Sequence, residues 1–336
     1  MTSSADTGPP PPPRVSLRTR VAYARYVALW EAAARLPERL ARRLPARAGA
    51  WWWRLASDEQ RAQVRANLRR VLPDASASEL DQGVRDAYVS YARYWLDSFR
   101  LHRMDAAAVV RASRGDGLEH VDAIRDSGRG GIFATGHLGS WDVGALFTAQ
   151  RDWGMVAVAE VVEPRALFDR FVAMRRTAGI DVVPLARGGD VLTTLETRIA
   201  AGGLATLLAD RDLTRRGPIV EFFGEPCRLP AGAALLARST GRSVAVGAFF
   251  TDGDGYHGVV EDPLDLQAMP VWDGTQAVAH ALERLIRRAP EQWHVFVPNW
   301  LADRQPNHPV VAAWRNGEDW HALARAERRV YRRQAD

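Results

Sequence analysis

The sequence contains no lysine: all 45 of its basic side chains are arginine, beside 40 Asp and Glu residues in 336. It has one cysteine, Cys227, so a disulfide framework and a zinc site built from cysteines are excluded. No apolar run reaches the roughly 20 residues that a spanning helix needs. Residues 1–14 contain five consecutive prolines and lack the basic start and apolar run of a signal peptide. These absences predict a soluble or membrane-peripheral protein.

The positive charge of the protein consists of guanidinium groups, with a formal net charge of +5 and a pI near 9.8. Guanidinium groups bind phosphate in forked geometry and stack on aromatic rings, so anionic partners are expected. No zinc-finger, helix-turn-helix or RNP-like signature is present, and nucleic acid is therefore not an expected partner. A non-catalytic basic protein that binds membranes remains an alternative at this stage.

The chain divides by composition into four segments. Residues 1–14 form a proline-rich tail predicted to be disordered, and residues 15–110 have helical periodicity. Residues 111–301 alternate strand and helix patterns, and residues 302–336 are a polar and basic tail. The helical segment combines arginine with three consecutive tryptophans at 51–53, a composition typical of the lipid headgroup boundary. It is therefore predicted to dock on an anionic membrane surface. The alternative is a helical cap that packs its apolar face on the sheet and leaves its arginines in solvent.

The third segment predicts the fold class. Apolar strand patterns occupy residues 130–135, 155–162, 180–184, 204–208 and 243–250. Helical patterns at 141–150, 165–178, 191–201 and 232–239 lie between or beside them. Strands that alternate with helices indicate an α/β fold with a mixed, largely parallel sheet flanked by helices.

One strand ends at a candidate catalytic histidine. The segment GHLGSWD at 136–142 follows the strand at 130–135, so His137 lies where open α/β sheets bind their ligands. Asp142 falls in the first turn of the next helix, and a turn can fold its carboxylate back to the imidazole. Such a pair would make His137 a general base. The alternative is a strand-end histidine that bonds a helix-capping aspartate. The pattern G-x-S-x-G is absent and no third metal ligand accompanies the pair, so no metal is expected.

Several longer motifs extend this pattern. They are GHLGSWD at 136–142, LADRDL at 208–213, EFFGEPCRLPAG at 221–232, FDRFVAMRRTAG at 168–179 and RANLRRVLPDA at 65–75. Together they resemble the lipid A biosynthesis (late) acyltransferase superfamily and, within it, the phosphatidylinositol mannoside acyltransferases of actinobacteria. The resemblance covers about residues 17–300 and implies a glycerolipid acyltransferase-like fold.

The resemblance implies that a fatty acyl group passes from a thioester to a hydroxyl. His137 would be the base and Asp142 would orient it. Asp210 stands where relatives often have glutamate, with a supporting role for His137. The implied substrate-binding residues are Glu160 for sugar hydroxyls, Arg175 near the thioester, Arg211 and Arg216 for the phosphates of coenzyme A, and Phe222 and Phe223 for an acyl tunnel.

The implied substrates are acyl-CoA, with a palmitoyl-type chain, and a mannose hydroxyl of a phosphatidylinositol mannoside. No cofactor is expected besides acyl-CoA as co-substrate. The implied location is the cytoplasmic face of the cell membrane, as a peripheral protein. The same chemistry on another glycolipid or a lysophospholipid is the alternative, because pocket shape decides the acceptor.

Overall fold

The computed structural model describes residues 17–161, 163–185 and 190–327, without the side chains of residues 17–20 and 160. The proline-rich tail predicted at 1–14 lies outside the described residues, as does the end of the basic tail at 328–336.

The described chain begins with helices and continues as an α/β sheet, as the sequence predicts. The helices are α1 (Leu17–Ala34), α2 (Glu38–Leu55), α3 (Asp58–Val71), α4 (Ala77–Arg100), α5 (Ala106–Arg111), α6 (Leu118–Asp126), α7 (Trp141–Ala149), α8 (Arg165–Thr177), α9 (Val191–Ala200), α10 (Gly232–Thr240), α11 (Val271–Arg288), α12 (Leu301–Arg304), α13 (Pro309–Arg315) and α14 (His321–Ala326). Short 3₁₀ turns occupy Leu101–Arg103 and Pro290–Gln292.

Local sequence determines where α3 and α4 begin. Ser57 and Gln60 form a reciprocal capping box at the start of α3, and Ser76 and Glu79 form a second one at the start of α4. Pro37 separates α1 from α2, as predicted. Pro45, also predicted to interrupt the helical pattern, lies buried inside α2 without ending the helix. No helix in the described part of the chain is long and apolar enough to cross a membrane.

The central sheet is mixed and largely parallel, in agreement with the predicted fold class. Its strands are β1 (Ser113–Asp116), β2 (Gly131–Thr135), β3 (Met155–Glu160), β4 (Asp181–Leu185), β5 (Leu204–Leu208), β8 (Val244–Asp252) and β9 (Gly255–Val260), while β6 (Ile219–Phe222) and β7 (Glu225–Arg228) form a separate antiparallel hairpin. The order across the sheet is β1-β9-β8-β2-β5-β3-β4, and only the β8–β9 pair is antiparallel. Helices cover both faces, with α7 and α8 on one face and α9, α10 and α11 on the other.

Sheet order brings two sequence motifs together. β2 and β5 are adjacent and parallel, and Thr135 pairs with Leu208 at their carboxyl ends. His137 and Asp210 each follow their strand by two residues, so they leave the same edge of the sheet side by side. Strand pairing therefore positions the site.

The segment predicted as a polar tail is packed over part of its length. Val310 and Val311 of α13 and Trp320 are buried in a cluster with Ile219 of β6. The buried side chains are spaced at helical intervals between charged ones, which is why composition alone indicated a polar segment. Residues up to 327 thus form a layer against the β6–β7 hairpin.

Candidate active site

The imidazole of His137 is held by a buried carboxylate. His137 Nδ1 lies 2.8 Å from Asp210 Oδ1, and the His137 backbone N–H donates to Asp210 Oδ2 at 2.8 Å. Nδ1–H therefore donates to the carboxylate, which leaves the unprotonated Nε2 as the basic nitrogen. Within the described chain, Nε2 has no hydrogen-bond partner, and the histidine lines a cavity. This is the geometry of an oriented general base.

Asp210 is fully buried and accepts several hydrogen bonds. Its Oδ2 also accepts from Trp293 Nε1 at 2.8 Å, and its backbone carbonyl accepts from Asn299 Nδ2 at 2.9 Å. Burial alone would raise the pKa of Asp210, but the adjacent His137 and the hydrogen bonds from His137 and Trp293 outweigh it and lower this pKa below its ordinary value. Asp210 is thus a fixed anion that stabilises a protonated imidazole.

A glycine lets Asp210 approach the histidine loop closely. A Cβ at Gly136 would lie only 3.1 Å from Asp210 Oδ2, closer than nearly all such contacts. The missing side chain at Gly136 therefore makes room for the Asp210 carboxylate beside the backbone of the loop.

The loop after His137 is fixed by its backbone. The His137 carbonyl accepts from the backbone N–H of His294 at 2.7 Å. The N–H groups of Gly139 and Ser140 donate to the carbonyls of Gln292 and Phe249 at 2.9 and 2.8 Å. The segment that carries the histidine is therefore anchored on two sides, as a preorganised catalytic group requires.

The predicted contact between the Asp142 carboxylate and the His137 ring does not form. The carboxylate that contacts His137 is Asp210, while Asp142 faces α4 and α8. Its Oδ2 accepts from Tyr94 Oη at 2.9 Å and Ser98 Oγ at 3.0 Å, and its Oδ1 accepts from Arg175 Nε at 2.9 Å. Asp142 lies in the first turn of α7, where the neighbouring helices supply donors for both of its oxygens.

The Asp142–Arg175 pair is an internal ion pair beside the cavity. Burial alone would lower the pKa of Arg175, but Asp142 and Tyr94 outweigh burial and raise it above its ordinary value. A buried guanidinium without a carboxylate would be costly, by about 3–5 kcal/mol when one partner of such a pair is removed. Asp142 therefore balances the charge of Arg175 and holds it in place.

His294, on the segment that anchors the loop, also lines the cavity. Its Nε2 lies 2.9 Å from Ser90 Oγ of α4, and its ring stacks on Tyr91 with centroids 4.9 Å apart. Burial, together with the charge of His137, lowers the pKa of His294 to about 3, so this second imidazole is neutral. No sequence motif connects residue 294 to the histidine loop, so this residue is not predicted from the sequence.

The cavity beside His137 has a volume of about 610 Å³, a size typical of ligand sites. Its polar lining includes His137, Asp142, Arg175 and Arg211. Apolar side chains form the greater part of its wall. Such a cavity suits a ligand with a long apolar part and a polar reacting group.

Known proteins are similar in sequence to this chain over most of its length. Residues 14–302 match the family described as bacterial lipid A biosynthesis acyltransferase. The chain belongs to this acyltransferase family. It is 34% identical to the phosphatidylinositol mannoside acyltransferase of Mycolicibacterium smegmatis, over 86% of this chain and 95% of that protein. It is 36% identical to the protein of the same name from Mycobacterium tuberculosis strain H37Rv, over 88% of this chain and 93% of that protein. The predicted family resemblance is confirmed.

The phenylalanines expected to form an acyl tunnel in this acyltransferase lie elsewhere. Phe222 and Phe223 are buried against Trp293 and Trp300, behind Asp210. Neither is among the residues that line the 610 Å³ cavity. Phe222 ends β6, and Phe223 follows it in the turn of the β6–β7 hairpin. The hairpin packs on the core, so both rings stabilise the position of Trp293 instead of contacting that cavity.

The other predicted substrate-binding residues differ in whether they line the cavity. Arg175 and Arg211 line the cavity of the acyltransferase. Arg216 is exposed on the loop between β5 and β6 and does not line this cavity. Glu160 is the last residue of β3, and its side chain lies outside what the structure describes.

Asp212, the second aspartate of the ADRDL motif, shapes the loop that carries these arginines. Its Oδ1 accepts from the Thr214 backbone N–H at 2.8 Å, and its Oδ2 accepts from that of Gly217 at 2.7 Å.

Across the described residues, no group of three or more His, Cys, Asp or Glu side chains converges as metal ligands would.

Proposed function

We propose that this acyltransferase moves a long, palmitoyl-type acyl group from acyl-CoA to a mannose hydroxyl of a phosphatidylinositol mannoside. The observation that carries the proposal is the His137–Asp210 pair beside a largely apolar cavity. The names of the two mycobacterial relatives support the acceptor. The arginine-rich composition suits a donor with several phosphates.

In the proposed reaction, His137 Nε2 takes the proton of the acceptor hydroxyl while its oxygen attacks the thioester carbonyl carbon. A tetrahedral oxyanion forms, and the buried Asp210 stabilises the imidazolium. The carbon–sulfur bond then breaks, the new ester remains on the acceptor, and the thiolate takes the proton back from His137. The cycle needs no covalent enzyme intermediate.

Arg175 is the proposed partner of the oxyanion. The backbone N–H groups of Gly139 and Ser140 are already bonded to carbonyl oxygens, so they are not free for this task. Asp142 and Tyr94 hold the Arg175 guanidinium, and the residue lines the cavity, so its remaining N–H donors are the ones proposed to bind the oxyanion.

Arg211 and Arg216 are proposed to bind the phosphates of the coenzyme. Both lie on the loop that Asp212 shapes, at the same edge of the sheet as His137. Arg211 lines the cavity, whereas Arg216 is exposed. This arrangement would leave the apolar lining to the acyl chain and the solvent side to the charged nucleotide.

The proposed reaction predicts acceptor-dependent thiol release. Palmitoyl-CoA should release free thiol much faster when a purified phosphatidylinositol mannoside is present, and mass spectrometry should detect the acylated acceptor. If another glycolipid stimulates thiol release and this acceptor does not, the proposed reaction is retained and the proposed acceptor is wrong. An absence of thioester-dependent activity with any lipid acceptor would contradict the proposal.

The exposed face of α2 is the proposed membrane-docking surface. Four exposed apolar side chains recur at helical spacing on this face: Leu40, Leu44, Trp51 and Leu55. Trp51 is 64% exposed. Exposed arginines at 43, 47 and 54 flank them. The opposite face, with Gly49, packs on α4 so closely that a Cβ at 49 would lie 2.4 Å from Val89 Cα. An apolar stripe edged by arginines suits anionic phospholipid.

Replacing both Trp51 and Leu55 with serine should lower binding to vesicles that contain phosphatidylinositol by at least about tenfold. Each substitution removes the favourable free energy of burying an apolar side chain in the membrane, about 1.5–3 kcal/mol. Vesicle co-sedimentation measures this effect. Leu323→Ser, at a residue 45% exposed on α14, is the matched control. Equal binding of the double variant and wild type would reject this docking surface.

A further inference from the structure

One branch of the cavity runs between the sheet and α7. Besides Asp142 and Phe147, four α7 residues that share one helical face line the cavity: Trp141, Gly144, Ala145 and Thr148. Three of these four are small, so the helix leaves space above the sheet. Opposite them, the lining side chains on this face of the sheet are Phe133, Thr135, Ala157 and Thr206.

This branch extends along the strands away from His137. Met155 pairs with Leu204, which in turn pairs with Gly131, six residues before His137. At about 3.3 Å per residue, Met155 lies roughly 20 Å from His137 along the strand direction. One long acyl chain spans about 15 Å, half of a bilayer's hydrocarbon core. The branch is therefore long enough to hold a long-chain acyl group whose thioester lies at His137.

A tryptophan lines the far end of this branch. Trp153 is only 5% exposed and lies two residues before Met155, at the edge of the sheet opposite His137. Its Nε1 donates to Asp122 Oδ1 at 2.9 Å, and the Arg151 guanidinium lies 5.4 Å from its ring. Arg151 also pairs with Asp122. The indole is thus fixed by a hydrogen bond and by a cation that pairs with the same carboxylate.

We propose that Trp153 is the floor of the acyl-chain site and sets the longest acyl chain that this enzyme transfers. The inference rests on the proposed acyl donor and adds the residue that determines its chain length. A chain that reaches the indole buries all of its methylenes. A longer chain must displace the fixed ring or leave carbons outside, so transfer should fall about tenfold for each further pair of carbons.

The test compares kcat/KM for octanoyl-, lauroyl-, palmitoyl-, stearoyl- and arachidoyl-CoA. Trp153→Ala should move the optimum to chains about two to four carbons longer, because removing the indole lengthens the branch. Ala145→Leu, which fills the middle of the branch, should lower transfer from palmitoyl-CoA at least tenfold while octanoyl transfer stays near wild type. Trp320→Leu removes an indole of equal exposure from the C-terminal cluster and should leave the chain-length profile unchanged.

The outcomes separate this inference from the proposed function. Wild-type protein without activity on any acyl-CoA would overturn the donor assignment itself. Active, stably folded Trp153→Ala with the wild-type chain-length profile would overturn the floor assignment alone. If Trp153→Ala does not fold, Ala145→Leu decides: an unchanged preference for palmitoyl-CoA would show that the chain does not occupy this branch.

Discussion

Replacing His137 with glutamine is expected to lower kcat for acyl transfer by about 10²–10⁴-fold, the usual contribution of a positioned general base. Glutamine can still donate a hydrogen bond to Asp210, so the buried carboxylate keeps a partner, but its amide cannot take the acceptor proton. Thiol release from palmitoyl-CoA in the presence of the glycolipid measures the effect, and the melting temperature should stay close to wild type.

His280→Gln is the matched control for this variant. His280 lies exposed on α11 and contacts Gln276, away from the cavity. Its replacement should leave kcat unchanged. If His137→Gln keeps its activity within a factor of about ten, a loss too small for a general base, the imidazole does not carry the proton and the proposed mechanism is wrong.

Asp210→Asn should reduce kcat by a similar amount, up to about 10⁴-fold, as in other enzymes where the carboxylate behind a catalytic histidine becomes an amide. Asp210 faces three donors: the His137 backbone N–H, the His137 ring and the Trp293 indole. The ring bonds one carboxylate oxygen and the other two donors share the second, so an amide must turn its NH₂ group either toward the ring or toward both other donors. It then either forces the wrong imidazole tautomer or leaves two buried donors unpaired.

Asp142→Asn is the informative comparison for Asp210→Asn. Asp142 holds Arg175, Tyr94 and Ser98, so its amide variant should lower the melting temperature more strongly. Asp210→Asn should instead lower kcat beyond what its melting temperature explains. If Asp142→Asn lost activity at full stability while Asp210→Asn stayed active, the two carboxylates would have the opposite roles.

The pKa of Asp210 also affects stability in acid. Its folded-state pKa is lower than that of an unfolded aspartate, so it stabilises the fold above about pH 4, the ordinary range of this carboxyl group. This contribution is lost as pH falls through the folded pKa. The asparagine variant has no such carboxyl and should lose less stability than wild type over that acid range.

Much of the fold follows from local patterns. Prediction and structure agree on the strand at 204–208. They also agree on where four helices begin, at Trp141, Arg165, Val191 and Gly232. These elements have strong periodicity, and turn residues surround them. The prediction missed β1, β9 and the β6–β7 hairpin, because these short strands depend on pairing with distant partners more than on their own sequence.

The sequence by itself determined the α/β class, the strand-end position of His137 and the family of the enzyme, because each depends on residues close together in the chain. Only the tertiary structure decided which carboxylate holds that histidine. Asp142 is five residues away but turns to Arg175, whereas Asp210 is 73 residues away and follows the neighbouring strand. Sheet order, which arises from the packing of the whole chain, brought the distant residue into contact and directed the near one elsewhere.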